Sequence, residues 1–352
     1  MARMPGWTRH LFFMLVAALP LALLGSCGRS EAGTSTPTAS GKPKVVCTVA
    51  MVADLAARIG GDEVEVVALM GSGVDPHLFK PTRSDIALLS GADLILGNGL
   101  MLEGKMGETF DRLEKSGKRV VRVGEAVGAR DRRELEIEHT RHPDPHVWMD
   151  PTLWAEAAER MRDALIELKP ASRDTFTSRA AEVSRDLAEL HEYATKAFAS
   201  IPQQSRVLIT AHDAFGYLGQ RYGVEVRGIQ GISTESEAGL RDLESLADLI
   251  AARKVRAVFV ETTVSERTIT ALAKAARDKG QPVVIGGSLF SDAMGKPGTY
   301  EGTYVGMIDH NVTTIVRALG GEAPERGMRG SLAPALTSEP TSTPAPAAKG
   351  GT

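Results

Sequence analysis

Residues 172–199 read SRDTFTSRAAEVSRDLAELHEYATKAFA, and this stretch decides how the rest of the chain is arranged. Its apolar side chains recur at alternating spacings of four and three residues, at Phe176, Ala180, Val183, Leu187, Leu190, Ala194 and Ala197. This spacing places them on one face of a single helix, and the opposite face is charged. At about 1.5 Å per residue the helix is about 40 Å long, enough to pack against two lobes. The stretch therefore predicts a spine between two halves of the chain.

Short β-branched segments alternate with Ala- and Leu-rich helical segments on both sides of this spine. The predicted strands, four in each half, are Lys44–Val49, Val64–Leu69, Leu94–Gly97, Arg119–Val123, Arg206–Thr210, Glu225–Ile229, Ala257–Glu261 and Pro282–Ile285. Such alternation is typical of parallel sheets covered by helices. We therefore predict an α/β fold with two lobes, each with a parallel four-stranded sheet flanked by helices, joined by one long backbone helix. The predicted bounds are 44–170 and 201–322 for the lobes and 171–200 for the linking helix.

The N-terminal sequence is typical of an export signal. A basic start precedes an apolar run from Leu11 to Leu24, which is shorter than the ~20 residues that a membrane span needs. The run ends in Leu24-Gly25-Ser26-Cys27, which is similar to a bacterial lipobox. We predict a signal peptide over 1–26 and lipidation of Cys27, which anchors the exported chain to the membrane, on the periplasmic or extracellular face. An ordinary secretory signal is the alternative.

Two further segments are expected to lack a packed core. Residues 27–43 are rich in Gly, Ser, Thr and Pro and predict a flexible tether. Residues 323–352 are rich in Pro, Thr and Ala and predict a disordered tail.

Charge and cysteine content narrow the range of functions. The formal net charge is −3, aromatic residues make up 5%, and no basic run is interleaved with aromatics, so nucleic acid is not an expected partner. Cys27 and Cys47 are the two cysteines. If Cys27 is lipidated, no intramolecular disulfide can form, and Cys47 is best explained as a small buried hydrophobe.

Two Asp-Pro-His triplets carry the strongest chemical signal. They are Asp75-Pro76-His77 and Asp144-Pro145-His146. Proline restricts the backbone on both sides, so each triplet predicts a stiff turn that holds its imidazole in place. Because imidazole is the commonest protein ligand for transition metals, the pair predicts half of a metal site.

The other half of the site is expected at strand ends in the second half of the chain, because ligands of open α/β sheets bind beyond the carboxyl ends of the strands. His212 follows one predicted strand and Asp292 follows another after a Gly-Gly turn. On local grounds each has a structural alternative: His212 at a helix N-terminus and Asp292 as the cap of a turn. Glu261, also at a strand end, is a rival carboxylate.

Four motifs in this order resemble the zinc/manganese-binding lipoproteins of ABC transporters, the cluster A-I solute-binding proteins, and in particular their TroA-type branch. They are DPHLFKP (75–81), DPHVWMDP (144–151), TAHDAFGY (210–217) and LFSDAMG (289–295). The segment GIQGIST (228–234) is also similar. The resemblance extends from about Lys44 to Gly320. It implies two α/β lobes around a long helix, with the metal in the cleft between them. It also implies His77, His146, His212 and Asp292 as metal ligands.

The resemblance implies capture of a divalent metal outside the cytoplasmic membrane and delivery to an ABC permease with its cytoplasmic ATPase, by a monomer that is not an enzyme. Three imidazoles and one carboxylate favour Zn²⁺, with Mn²⁺ second and Fe²⁺ third. A zinc hydrolase is the alternative from another class, but the four ligands fill the coordination sphere and no His-Glu-x-x-His motif is present. A surface adhesin with a structural metal is a further alternative.

His139 and His142 lie in a predicted charged loop just before the second triplet. We interpret this loop as solvated; a role in sampling metal is the alternative.

Overall fold

Strands and helices alternate throughout the computed structural model, which describes residues 41–128, 130–137, 140–236 and 239–334. The predicted signal peptide, Cys27 and most of the tether lie outside the described residues, as do His139 and the chain beyond residue 334. Within the described ranges, no helix has both the length and the apolar character that a membrane crossing requires.

The first half contains the predicted parallel sheet of four strands. These are β1 (Lys44–Cys47), β2 (Glu65–Ala68), β3 (Leu94–Gly97) and β4 (Val120–Arg122). Their order in the sheet is β2-β1-β3-β4, and every neighbouring pair is parallel. The central strands β1 and β3 are almost wholly buried, which explains why they consist of continuous apolar runs.

A short antiparallel hairpin follows this sheet, in the segment predicted to be a charged loop. Its strands are β5 (Glu134–Ile137) and β6 (Thr140–Pro143), and Leu135 pairs with His142. The period-two alternation of Glu134-Leu135-Glu136-Ile137 was the available strand signal. The density of charge around it concealed that signal.

The second half also contributes four strands at the predicted places: β7 (Val207–His212), β8 (Glu225–Gln230), β9 (Ala257–Glu261) and β10 (Val284–Leu289). They are hydrogen-bonded as two parallel pairs, β7 with β8 and β9 with β10, and β7 lies beside β9. The last strand extends beyond its predicted end at Ile285, because pairing with β9 resumes at Ser288. Gly286 and Gly287 form an irregularity between the two paired segments, and Gly287 has a φ of 148°. The Gly-Gly pair is thus a bulge rather than a turn.

The helices cover the sheets and pack on the spine. They are α1 (Ala50–Gly60), α2 (Arg83–Ser90), α3 (Gly107–Lys115), α4 (Pro151–Leu168), α5 (Arg173–Ala199), α6 (Gly216–Tyr222), α7 (Leu240–Arg253), α8 (Arg267–Asp278) and α9 (Tyr304–Ala318). The spine is α5, which has 27 residues and buries the whole predicted apolar stripe. It packs against α1 and α4 of the first half and α6 and α9 of the second. The predicted two-lobe architecture around one long helix is confirmed.

Residues 323–334 correct the expectation of disorder from residue 323 onward. The backbone N–H of Met328 donates to the carboxylate of Asp309, which is buried in α9, and Arg329 forms ion pairs with Asp186 and Glu189 on α5. Leu332 is 3% exposed. These polar anchors order a segment that has few large apolar side chains, so composition alone did not reveal its packing.

Candidate metal centre

His77, His146, His212 and Asp292 converge in the cleft between the two halves; we call them the His/Asp cluster. Each side chain is buried, and one donor atom of each lies within 4.8 Å of those of the other three. The Nε2 atoms of His77 and His146 are 3.4 Å apart. From the Asp292 carboxylate, the Nε2 atoms of His212, His146 and His77 lie at 3.2, 3.3 and 3.8 Å.

These distances are compatible with one metal ion in tetrahedral coordination. Zinc bonds of ~2.0–2.1 Å at tetrahedral angles place neighbouring donor atoms about 3.3 Å apart. The four distances above lie between 3.2 and 3.8 Å, and no two donor atoms of the cluster are more than 4.8 Å apart. All four donors can therefore reach one ion with small adjustments.

The Asp-Pro-His triplets are the same local turn used twice. The backbone N–H of His77 donates to Asp75 Oδ1 at 2.9 Å, and that of His146 donates to Asp144 Oδ1 at 3.0 Å. An Asp side chain that accepts from the residue two positions ahead closes a tight turn, and proline between them prevents a helix. This geometry explains why the spacing identified both histidines.

His146 is held by a chain of contacts that no local sequence pattern predicts. Its Nδ1 lies 2.8 Å from Asp144 Oδ1, and Asp144 Oδ2 is 3.2 Å from Nε of Arg133, next to the hairpin. Tyr217 of α6 bridges the two halves here, since its hydroxyl donates to the Asp144 carbonyl and accepts from the Arg133 N–H. Because Nδ1 faces a carboxylate, Nε2 is directed at the centre of the cluster.

His212 ends β7 and is fixed by Glu261, the last residue of β9. Glu261 Oε1 accepts the backbone N–H of His212 at 2.8 Å, and Oε2 lies 2.5 Å from His212 Nδ1. Glu261, the rival carboxylate, therefore contacts His212 from outside and is not a member of the His/Asp cluster. Asp292 is placed by its neighbour Ser291, whose carbonyl accepts from the indole N–H of buried Trp148 at 2.9 Å.

Glu103 is a further buried carboxylate that sequence reasoning missed. It accepts from the Thr48 hydroxyl and from the backbone N–H groups of Asn98 and Gly99. The Asn98 amide in turn donates to the carbonyl of Pro145, directly before His146. A lone Glu between apolar Leu102 and Gly104-Lys105 gave only a weak signal for this role.

Burial and neighbouring charges shift the pKa values of the three histidines in different directions. Burial lowers the pKa of His77 to about 4, so this imidazole is neutral at pH 7. Burial also acts against charge on His146, but Asp144 and Asp292 outweigh it and raise the pKa to about 9. The same balance, with Glu261 and Asp292 as partners, raises the pKa of His212 well above its usual value.

The carboxyl group of Asp292 shows the reciprocal effect. Burial disfavours its charge, yet the imidazoles of His212 and His146 hold its pKa well below the usual range. The centre therefore pairs an anionic carboxylate with imidazoles that hold protons. A cation that binds there has to displace those protons.

The other three histidines of the described ranges, His142, His191 and His310, do not belong to the cluster. His142 lines a cavity of about 340 Å³ that also reaches His77. His191 contacts the Tyr222 hydroxyl, and His310 contacts the Ser288 carbonyl.

Comparisons with known proteins agree with this geometry. Residues 45–318 match the family model described as zinc-uptake complex component A, periplasmic (ZnuA). The zinc-binding protein TroA of Treponema pallidum is 45% identical over 305 residues, which cover 86% of this chain and 98% of TroA. The manganese-binding lipoprotein MntA of Bacillus subtilis is 43% identical over 307 residues, with 87% and 98% covered.

A third relative is the metal ABC transporter substrate-binding lipoprotein FimA of Streptococcus parasanguinis. It is 32% identical over 310 residues, which cover 86% of this chain and 97% of FimA. Among solved structures, the periplasmic zinc-binding protein TroA from Treponema pallidum superimposes with a TM-score of 0.76 at 46% identity. That match covers 79% of this chain and 99% of the TroA chain.

Proposed function

Since this chain belongs to the ZnuA family of zinc-uptake components, we propose that it captures a divalent transition-metal ion in the His/Asp cluster and delivers it to an ABC permease. The family consists of binding proteins rather than enzymes, as the names of the relatives indicate. The hydrolase alternative is therefore not retained.

The observation that carries the proposal is the convergence of four buried donor atoms from both halves of the chain. Two come from the Asp-Pro-His turns of the first half. In the second half, His212 is the last residue of β7 and Asp292 follows β10. An ion bound at this point is held by both lobes, so binding and release are coupled to small movements between them.

The donor set favours zinc. Neutral imidazole nitrogens with one carboxylate oxygen form a four-coordinate site of the kind that zinc adopts, and nitrogen ligands bind zinc more tightly than manganese. One relative is named for zinc and another for manganese. We therefore place zinc first, manganese second and iron third.

The location and partners follow from the same family. Relatives are named as lipoproteins of metal ABC transporters, and Cys27 follows a lipobox-like sequence. We propose that a lipid on Cys27 tethers an exported monomer beside a permease and its cytoplasmic ATPase.

The test is metal analysis of the protein purified without chelators, beside the variants His77→Ala and His191→Ala. His191 contacts Tyr222 and does not belong to the cluster, so it is the matched control. We expect one equivalent of zinc in the wild type and the control, and loss of that zinc in His77→Ala.

Two other outcomes are informative. One equivalent of manganese keeps the transport proposal and overturns the choice of metal. Equal metal content in His77→Ala and the wild type, or no metal in either, refutes the proposed site.

A further inference from the structure

A single carboxylate connects a proposed metal ligand to the opposite half of the chain. Asp75 Oδ1 accepts the backbone N–H of His77 at 2.9 Å, and Asp75 Oδ2 accepts the hydroxyl of Thr234 at 2.6 Å. Thr234 is 9% exposed and belongs to residues 231–236, which follow β8; we call this segment the strap. The Asp75–Thr234 bond therefore joins the first Asp-Pro-His turn to the strap.

The strap lines a cavity that reaches the His/Asp cluster. This cavity, of about 340 Å³, is lined by Ile232, Ser233 and Glu235 of the strap and also by Leu100 and Leu102 of the first half. His77 is the cluster member that lines this cavity. An ion that enters or leaves by this route passes His77 and the inner surface of the strap.

A second, weaker contact also joins the strap to the first half of the chain. Lys105 Nζ is 3.0 Å from Glu235 Oε1, but their side chains are 40% and 47% exposed. An exposed ion pair contributes little. The buried Thr234 hydroxyl on a carboxylate is the stronger of the two contacts, because hydrogen bonds to charged groups are worth more than neutral ones.

We propose that the Asp75–Thr234 hydrogen bond is a latch that holds the strap over His77 and sets the rate of metal exchange. This inference rests on the proposed function and names Thr234 as a positioning residue that has no contact with the ion. Opening the strap breaks the bond, whichever way the ion moves. Loss of the latch therefore accelerates association and dissociation together and changes Kd less than either rate.

The experiment uses zinc-loaded protein, with stopped-flow chase by excess chelator for dissociation and direct mixing with Zn²⁺ for association. Thr234→Val removes the hydroxyl with little change in volume, and Thr234→Ser retains it as the matched control. We expect both rate constants of Thr234→Val to rise on the order of tenfold, as for loss of one hydrogen bond to a charged group. Thr234→Ser is expected to remain near the wild type.

Several results would overturn the latch. Equal exchange rates in Thr234→Val and wild type show that the bond does not control opening. A faster dissociation with unchanged association shows that Thr234 acts on affinity instead. Thr234→Ala provides the same comparison if the valine variant does not fold. Wild type that binds no zinc, manganese or iron removes the proposed function and the latch with it, whereas normal binding without a kinetic effect removes the latch alone.

Discussion

The Nδ1 atom of His212 lies 2.5 Å from Oε2 of Glu261, at the adjacent ends of two neighbouring strands. The same carboxylate accepts the His212 backbone N–H through Oε1. Both side chains are buried, so the contact is not weakened by water. It fixes the ring so that Nε2 faces Asp292, 3.2 Å away.

Replacement of Glu261 by Gln is expected to weaken metal affinity by about 10- to 100-fold, the usual effect of losing a partner that orients a ligating histidine. The amide preserves the shape but removes the charge that supports the ring. Competition titration with a chelator of known affinity measures the change. Glu266→Gln, an exposed position before α8, is the control. Unchanged affinity in Glu261→Gln would mean that His212 needs no support from Glu261.

Metal binding is expected to release protons at neutral pH. His146 has a pKa of about 9 and is protonated at pH 7, whereas a metal binds only the neutral ring. Affinity therefore strengthens as the pH rises from 7 towards 9 and weakens as it falls. Calorimetry in two buffers of different ionisation enthalpy counts the protons released. Binding heats that do not depend on the buffer would contradict this prediction.

The spine is expected to be sensitive to loss of volume. Leu187 is 1% exposed on the inner face of α5, so Leu187→Ala removes contacts and leaves a cavity. A decrease of about 2–5 kcal/mol in the free energy of unfolding is expected from urea denaturation. Leu240→Ala is the matched control, because Leu240 is 74% exposed and its loss should change stability by no more than about 0.5 kcal/mol. Equal effects would show that α5 is not part of the core.

Gly228 permits the close approach of β8 to the residues around His212. A Cβ at Gly228 would lie 2.4 Å from the Asp213 nitrogen and 2.6 Å from the His212 carbonyl carbon, whereas a Cβ at Gly231 meets nothing within 4 Å. Gly228→Ala is therefore expected to lower the free energy of unfolding by about 1–3 kcal/mol. Gly231→Ala should leave it nearly unchanged. Denaturation of the two variants side by side decides the matter, and similar stabilities would show that the strands separate without strain.

The elements of the fold were predictable where a local pattern specified them. The apolar spacing predicted the spine over 172–199, and the helix runs from Arg173 to Ala199. The hairpin at 134–143 and the far end of β10 were missed. Their bounds depend on pairing with a partner strand, which local composition does not record.

The candidate site was predictable to a similar extent. His77 and His146 were identified because each triplet builds its own turn, and the likeness to metal-binding lipoproteins added His212 and Asp292. Whether these four are the ligands remains a prediction. The support of His212 by Glu261 and of the strap by Asp75 was not predictable, because those pairs are separated by 49 and 159 residues in sequence.

The two Asp-Pro-His triplets show what sequence and tertiary structure each determine. The sequence alone specified both turns, because an Asp side chain, a proline and the following N–H interact locally. The pKa values of the two histidines diverge to about 4 for His77 and about 9 for His146. Only the fold decides this difference. Asp144 Oδ1 contacts the ring of His146, whereas Asp75 Oδ2 accepts a hydrogen bond from Thr234. Burial therefore lowers the pKa of His77, whereas the carboxylates outweigh burial and raise the pKa of His146.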